Sequence, residues 1–471
     1  MREKYWLEDD SSNEPDRIEE LLSEDLETEF FQGLGGRRKK AAFLLISIWA
    51  VVIGLNLVTW GKWVVLALTA VICLQNLQLI LTPTPSPPEP LSDATKSTWP
   101  SVSLLVAAKN EEAVIAKLVK MLSQLDYPAD KYEIWAIDDH SSDRTGIILD
   151  ELTKQYSQLH VLHRPPGSSG GKSGALNQVL KLSHGEIIGV FDADAQVTPD
   201  LLQKVVAHFQ NPKIGAVQVQ KAIANASTNF WTRGQFAEMA MDTFLQRQRI
   251  AVGGMGELRG NGQFVRRAAI DSCGGWNEET ITDDLDLTLR LHLDGWDIEL
   301  LESPPVYEEG VTKAIALWHQ RNRWAEGGYQ RYLDYWRLIL AGRLSATKTT
   351  DLFWSFLLIQ YLLPTAIVPD FLMALVRQNT PLLAPLTSIS LFFSFVMMYL
   401  GWRRYISTPG AKGIKPRLTA LWQTTQGIVY MLHWVIVMSS TTARMSVRAK
   451  RLKWVKTVHQ GSSEVLRESE T

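Results

Sequence analysis

Ile187-Ile188-Gly189-Val190-Phe191-Asp192-Ala193-Asp194 decides how this chain folds. An uninterrupted apolar run too short for a helix reads as a strand buried on both faces, and such strands belong to parallel sheets covered by helices. The run ends in two carboxylates, at the end of the strand where ligands sit in open α/β sheets. Working outward, apolar runs at 102–107, 134–137 and 216–219 repeat the pattern, with helical periodicity between them at 113–124 and 199–209. Alternating strands and helices imply an α/β domain built on a mixed, mostly parallel sheet.

That domain is flanked by unlike material. Residues 1–36 hold about a dozen Asp and Glu with few aromatics, and read as an acidic, disordered tail. Arg37-Arg38-Lys39-Lys40 then leads into an apolar run at 41–60, and a second follows at 63–81. Each has the roughly 20 residues needed to cross the hydrocarbon of a bilayer. Basic flanks stay inside, so two crossings return the chain to the cytosol. The Pro-rich stretch 82–98 resists helix and strand and reads as a stiff linker. The catalytic domain is expected over 99–335 and an interfacial helix over 336–351. Spans are expected at 352–376 and 382–402, and a basic cytosolic tail at 443–471. The apolar run 418–440 has basic flanks on both sides, which leaves open whether it crosses or re-enters.

A net charge of −2 disfavours a nucleic-acid binder, whose affinity needs a basic surface. The two cysteines, Cys73 and Cys273, have neither disulfide nor metal-ligand spacing. Nothing in the sequence fixes an oligomeric state.

Five further polar clusters punctuate the domain. Lys109-Asn110-Glu111-Glu112 opens a helix after the first strand. Asp138-Asp139-His140-Ser141-Ser142-Asp143 follows the second, and as an Asx turn with an N-cap it needs no function at all. Gly167 to Asn177 is a Gly-rich turn whose Lys172 suits a phosphate contact, although it lacks the Walker A spacing. Thr282-Asp283-Asp284 starts an amphipathic helix, where acidic residues favour the macrodipole but also raise one another's pKa. A carboxylate tuned upward could deprotonate a hydroxyl. Gln320-Arg321-Asn322-Arg323-Trp324 offers guanidinium forks that could clamp a pyrophosphate, or simply form a solvated basic face. The pair Asp192 and Asp194 suits a hard divalent cation shared with phosphate oxygens.

In this order, Asp138-Asp139, Asp192-Ala193-Asp194, Thr282-Asp283-Asp284 and Gln320-Arg321-x-Arg323-Trp324 resemble the motifs of glycosyltransferase family 2, especially its membrane-integrated members related to cellulose and hyaluronan synthases. The resemblance covers roughly 100–335. It implies a GT-A fold inserted between transmembrane helices and an inverting transfer from a nucleotide sugar. Asn110, Glu111, Asp138 and Asp139 would meet the nucleotide, and Lys172, Asp192, Gln320, Arg321 and Arg323 the diphosphate. Asp192 and Asp194 would hold Mg²⁺ or Mn²⁺. Asp284 would be the base, with Asp283 and Trp324 on the acceptor side; Asp283 stands where the family motif carries Glu. The stretch from Arg259 to Arg267 is similar to the branch that moves glucose from UDP-glucose to diacylglycerol. A processive polysaccharide synthase and a polyprenyl-phosphate glycosyltransferase are the competing readings.

Overall fold

The computed structural model describes residues 29–31, 34–89, 91, 98–406 and 414–448. Two helices, α1 (Arg37–Leu57) and α2 (Gly61–Leu81), come first. An extended stretch without helix or strand over 83–89 follows, as its prolines require. The sheet domain then runs β1 (Val102–Ala108), α3 (Ile115–Leu122), β2 (Tyr132–Asp138), α4 (Thr145–Thr153), β3 (Leu159–His163), α5 (Gly171–Leu182), β4 (Ile187–Asp192), α6 (Leu201–His208) and β5 (Ile214–Ile223). After it come α7 (Phe230–Ala251), β6 (Gln263–Arg266), α8 (Arg267–Ser272), α9 (Asp283–Leu293), β7 (Asp297–Glu308) and α10 (Ala314–Leu340). The chain closes with α11 (Ala346–Asp351), a π-helical stretch over Leu352–Leu362, α12 (Leu363–Arg377), α13 (Ala384–Ile406), α14 (Ile414–Met431) and α15 (His433–Val447).

The seven strands lie in the order β3-β2-β1-β4-β6-β5-β7, all parallel to their neighbours except β6, which runs antiparallel to β4 and β5. Side chains alternate across the sheet, so Leu104, Val106 and Phe191 face one core while Leu105, Ile188 and Val190 face the other. Burying each such side chain contributes about 1.5–3 kcal/mol. This double burial is why those runs are mainly apolar; Ser103, inside β1, is buried with its hydroxyl donating to Glu133 of β2 at 2.6 Å. Gly189 faces Phe264 of β6, and a Cβ there would stand 2.6 Å from the ring, so only glycine admits the antiparallel strand. Because β1 leads to β2 on one side and lies beside β4 on the other, a crevice opens at the carboxyl ends of these strands.

Among the described residues, four helical segments are long and apolar enough to cross a membrane: Arg37–Leu57, Gly61–Leu81, Ala346–Arg377 and Ala384–Arg404. They expose Phe43, Ile46, Leu74 and Leu81, a surface suited to lipid and costly in water. The chain is therefore membrane-associated. Arg37 grips Asp334 of α10 through two 2.6 Å bonds, which ties the basic end of α1 to the sheet domain.

Two expectations change, and the run left open takes a definite form. No separate helix occupies 336–351, because α10 continues to Leu340, a turn follows, and α11 leads straight into the next apolar segment. The apolar run 418–440 is broken at Leu432 into α14, which packs on α7 and α13, and α15, which packs on α1 and α10. The acidic tail is docked where it is described: Phe30 is buried beside Tyr335, and Glu29 pairs with Arg343. Residues 1–28, 32–33 and 449–471 of the two expected tails lie outside the described residues.

Candidate active site

The turn after β1 and the turn after β2 are built as one unit. Asn110 adopts a left-handed conformation (φ 55°), tolerable for Asn, and its backbone N–H donates to Ser141 Oγ at 2.9 Å. Its own Oδ1 accepts from the Ser142 N–H at 2.6 Å. Asp138 ends β2 and turns inward: Oδ1 accepts from the Ser141 N–H and Oδ2 sits 3.1 Å from His163 Nδ1. Burial alone would raise the Asp138 carboxyl, but these bonds outweigh it and hold it below the usual range. Asp139 points the other way, into the crevice, held at 2.5 Å by Arg164 Nη1.

Arg164 also donates to the Ser169 and Gly171 carbonyls, which shapes the Gly-rich turn before α5. Gly170 and Gly171 have φ of 77° and 54°, and a Cβ on Gly170 would stand 2.1 Å from Glu278 Oε2. This turn sends Lys172 Nζ to within 2.6 Å of Asp192 Oδ1. Burial would depress the lysine, yet Asp192 and Asp283 prevail and raise it above its ordinary value. Asp194 Oδ2 accepts from the Glu309 N–H just beyond β7.

Asp283 and Asp284 sit in the first turn of α9, where the helix dipole favours negative charge. The helix is pinned by a buried pair one turn on. Arg290 Nε donates to Asp286 Oδ2 at 2.7 Å, and Arg290 Nη1 donates to the Cys273 and Gly275 carbonyls. Asp284 Oδ1 accepts from the Leu285 N–H, while Oδ2 faces Gly260, where a Cβ would approach to 3.3 Å. Part of Asp284 meets the crevice, but protein crowds its other sides. Burial first, and the Asp283 carboxylate second, lift it to about 6. Asp283 Oδ2 is buried without a hydrogen-bond partner among the described residues.

The motif on α10 divides by helical geometry. Gln320, Arg323 and Trp324 share one face at i, i+3 and i+4 and line the crevice. Arg323 lies within electrostatic reach of Asp192, Asp284 and Asp283, which oppose the lowering of its pKa by burial. Arg321 does not line the crevice. It is fully buried, with Nη2 2.5 Å from Glu238 Oε2 of α7 and 3.1 Å from Tyr430 Oη of α14, and its guanidinium stacks 4.0 Å over Trp324. Neither it nor Asp138 lines the crevice as the motif reading expects; both act as braces behind it.

One cavity of about 1090 Å³ takes in Asn110, Glu111, Asp139, Lys172, Asp192, Asp194, Asp283, Asp284, Gln320, Arg323 and Trp324. It continues without interruption between the apolar helices, past Leu79, Ile359, Leu363, Met397, Met431 and Trp434. Sequence reasoning missed Arg164, Lys221 and Glu238. Lys221 is buried on β5, 3.0 Å from Glu308 Oε2 and 5.6 Å over Trp324.

Gly327 of α10 abuts Thr282, so that an added Cβ would meet Thr282 Oγ1 at 2.2 Å and Cβ at 2.8 Å. Gly327→Ala is expected to push the α9 N-terminus out of line and to lower turnover on the order of 10²-fold, since small misplacements are costly. Turnover assays beside a thermal unfolding scan check this, and unchanged turnover would detach α10 from the placement of Asp283 and Asp284.

The model of the family described as glycosyltransferase like family 2 matches residues 100–327. A β-monoglucosyldiacylglycerol synthase of Synechocystis sp. is 58% identical over 446 residues, 94% of this chain and 93% of that protein. One from Trichormus variabilis is 57% identical over 474 residues, 98% of this chain and all of that one. Among solved structures, the mannosyltransferase PcManGT of Pyrobaculum calidifontis, in complex with GDP-Man and Mn²⁺, covers 84% of this chain and 99% of its own at a TM-score of 0.55. At 19% identity that likeness concerns the fold, a GT-A sheet domain. With relatives this similar along nearly its whole length, the chain belongs to glycosyltransferase family 2, and within it to the group that the β-monoglucosyldiacylglycerol synthases form.

Proposed function

We propose that the chain transfers glucose from UDP-glucose to the free hydroxyl of 1,2-diacylglycerol with inversion, giving β-monoglucosyldiacylglycerol. The observation that carries this reading is the single cavity that joins the carboxylate cluster to the space between the apolar helices. A lipid can slide along it and bring its hydroxyl to Asp284 while its chains stay in the bilayer. Proximity of this kind supplies much of a transferase's rate.

Asp139, Asn110 and Glu111 are placed to meet the nucleoside, and Lys172, Gln320 and Arg323 the diphosphate. Asp284 takes the proton from the acceptor hydroxyl, whose oxygen attacks the anomeric carbon as the bond to UDP breaks. Asp283 and Trp324 border the acceptor side. The donor chemistry fits a divalent cation: Asp192 and Asp194 both line the cavity and offer hard carboxylate oxygens. Among the described residues no group of three or more His, Cys, Asp or Glu side chains could hold a metal ion by itself. Magnesium suits such a site, because it commonly takes one or two carboxylates and fills its remaining positions with phosphate and water. When bound, the ion neutralises charge on the departing diphosphate.

The Arg37–Lys40 end of α1 lies at the sheet domain, so the positive-inside tendency puts that domain in the cytosol of a multi-pass protein.

Purified protein given labelled UDP-glucose and diacylglycerol is expected to yield a chloroform-soluble glycolipid with a β linkage. Label in a long polymer would instead favour a processive synthase, and an acid-labile product a sugar phosphate.

A further inference from the structure

Polar side chains in the apolar helices are mostly satisfied locally. Thr69, Asn76, Ser390 and Ser394 each donate to the carbonyl one turn back, at 2.7 to 2.9 Å. Exceptions are Gln423 and Thr424 on α14 and, lining the cavity, Ser355 and two glutamines. Gln75 on α2 and Gln360 in the π-helical stretch line the cavity, and neither side chain has a hydrogen-bond partner among the described residues. Unpaired amides at membrane depth are costly, and polar groups kept there mark a binding path. A π-helical stretch likewise recurs at functional sites.

Their position says what they meet. Tyr361, next to Gln360, reaches the α9–α10 junction, where its hydroxyl lies 3.4 Å from the Ala325 carbonyl and a Cβ on Gly328 would touch both that hydroxyl and Leu285. Leu285 follows Asp284. On the other side, Ile72, one turn before Gln75, belongs to the apolar cluster that also holds Ile359 and Leu363. The two amides therefore flank the cavity on the membrane side of the base. An occupant must present its hydroxyl to Asp284, hydrogen-bond acceptors a few bonds further in, and hydrocarbon beyond. Ester carbonyls meet that need. Ether oxygens are weaker acceptors and lack the projecting carbonyl.

Resting on the acceptor reading above, we propose that Gln360, with Gln75, donates to the acyl ester carbonyls of the acceptor and makes the enzyme select diacylglycerol over dialkylglycerol. The test uses the full chain in mixed micelles, UDP-glucose, and 1,2-diacylglycerol or its dialkyl ether of equal chain length. The unaltered protein is expected to prefer the ester about tenfold in kcat/KM, the worth of one or two neutral hydrogen bonds, carried mainly by KM. Gln360→Leu is expected to bring the ratio close to one and Gln75→Leu to reduce it. An apolar replacement suits a membrane helix, and a thermal scan confirms folding. Equal use of both lipids by the unaltered protein, or an undiminished ratio in both variants, would overturn the inference. Failure to glucosylate either lipid would overturn the acceptor reading itself, and this inference with it.

Discussion

Asp284→Asn is expected to keep the fold and UDP binding and to lose on the order of 10²–10⁴ in turnover, the usual worth of a general base. The amide occupies the same space beside the Leu285 N–H but cannot take the acceptor's proton. The pH profile carries the same assignment. Burial and Asp283 raise this carboxyl to about 6, and the base acts as the anion, so kcat/KM is expected to hold above that pH and to fall as pH drops through it. The variant's residual rate should show no such limb. Stability moves the other way. The folded protein holds that proton more tightly than an unfolded chain would, so above pH 6 the ionised carboxylate works against folding, and the variant's thermal midpoint is expected at or above that of the unaltered chain. Turnover that survives the change would remove Asp284 from the chemistry.

The sheet's centre was legible because β1, β2 and β4 are buried on both faces and therefore mainly apolar, with Ser103 and Glu133 the interruptions before the carboxylates at the strand ends. The run at 216–219 likewise announced β5, but β3, β6 and β7 were not legible. β6 has four residues, with Arg266 at its end, and β7 carries Pro304 and Pro305 within a charged sequence. Pairing partners made these strands, and local sequence does not name partners. The same limit governs the site. Asp139, Asp192 and Asp284 stand at strand or helix ends, where clustered carboxylates leave a trace. Arg164, Lys221 and Glu238 are single charges in unremarkable surroundings, and only the fold brings them beside Asp139, Trp324 and Arg321. The cavity's extension between the apolar helices was invisible for a further reason: it is a space between helices distant in sequence, and its lining residues individually resemble any membrane span.

The two arginines of the α10 motif should fail in different ways when removed. Residues two apart on a helix point about 200° from one another, so they cannot both face one diphosphate. Arg323 faces the cavity among Asp192, Asp283 and Asp284, where developing negative charge on the leaving group would be met. Arg323→Gln is expected to lower turnover on the order of 10²–10³, the cost of losing one donor aimed at the transition state, and to leave thermal stability nearly unchanged. Arg321 instead sits fully buried against Glu238, which also accepts from Tyr430 Oη at 3.0 Å and Trp434 Nε1 at 2.8 Å. Arg321→Met strands that carboxylate without its cation, and breaking a buried pair in this way costs about 3–5 kcal/mol. Its first symptom is expected in the melting curve. Pairing it with Glu238→Gln removes the stranded charge and should recover part of the loss, as a double-mutant cycle would show. If Arg321→Met melted like the unaltered protein while losing turnover, its guanidinium would belong to the diphosphate site after all, and the division of the motif by helical faces would be wrong.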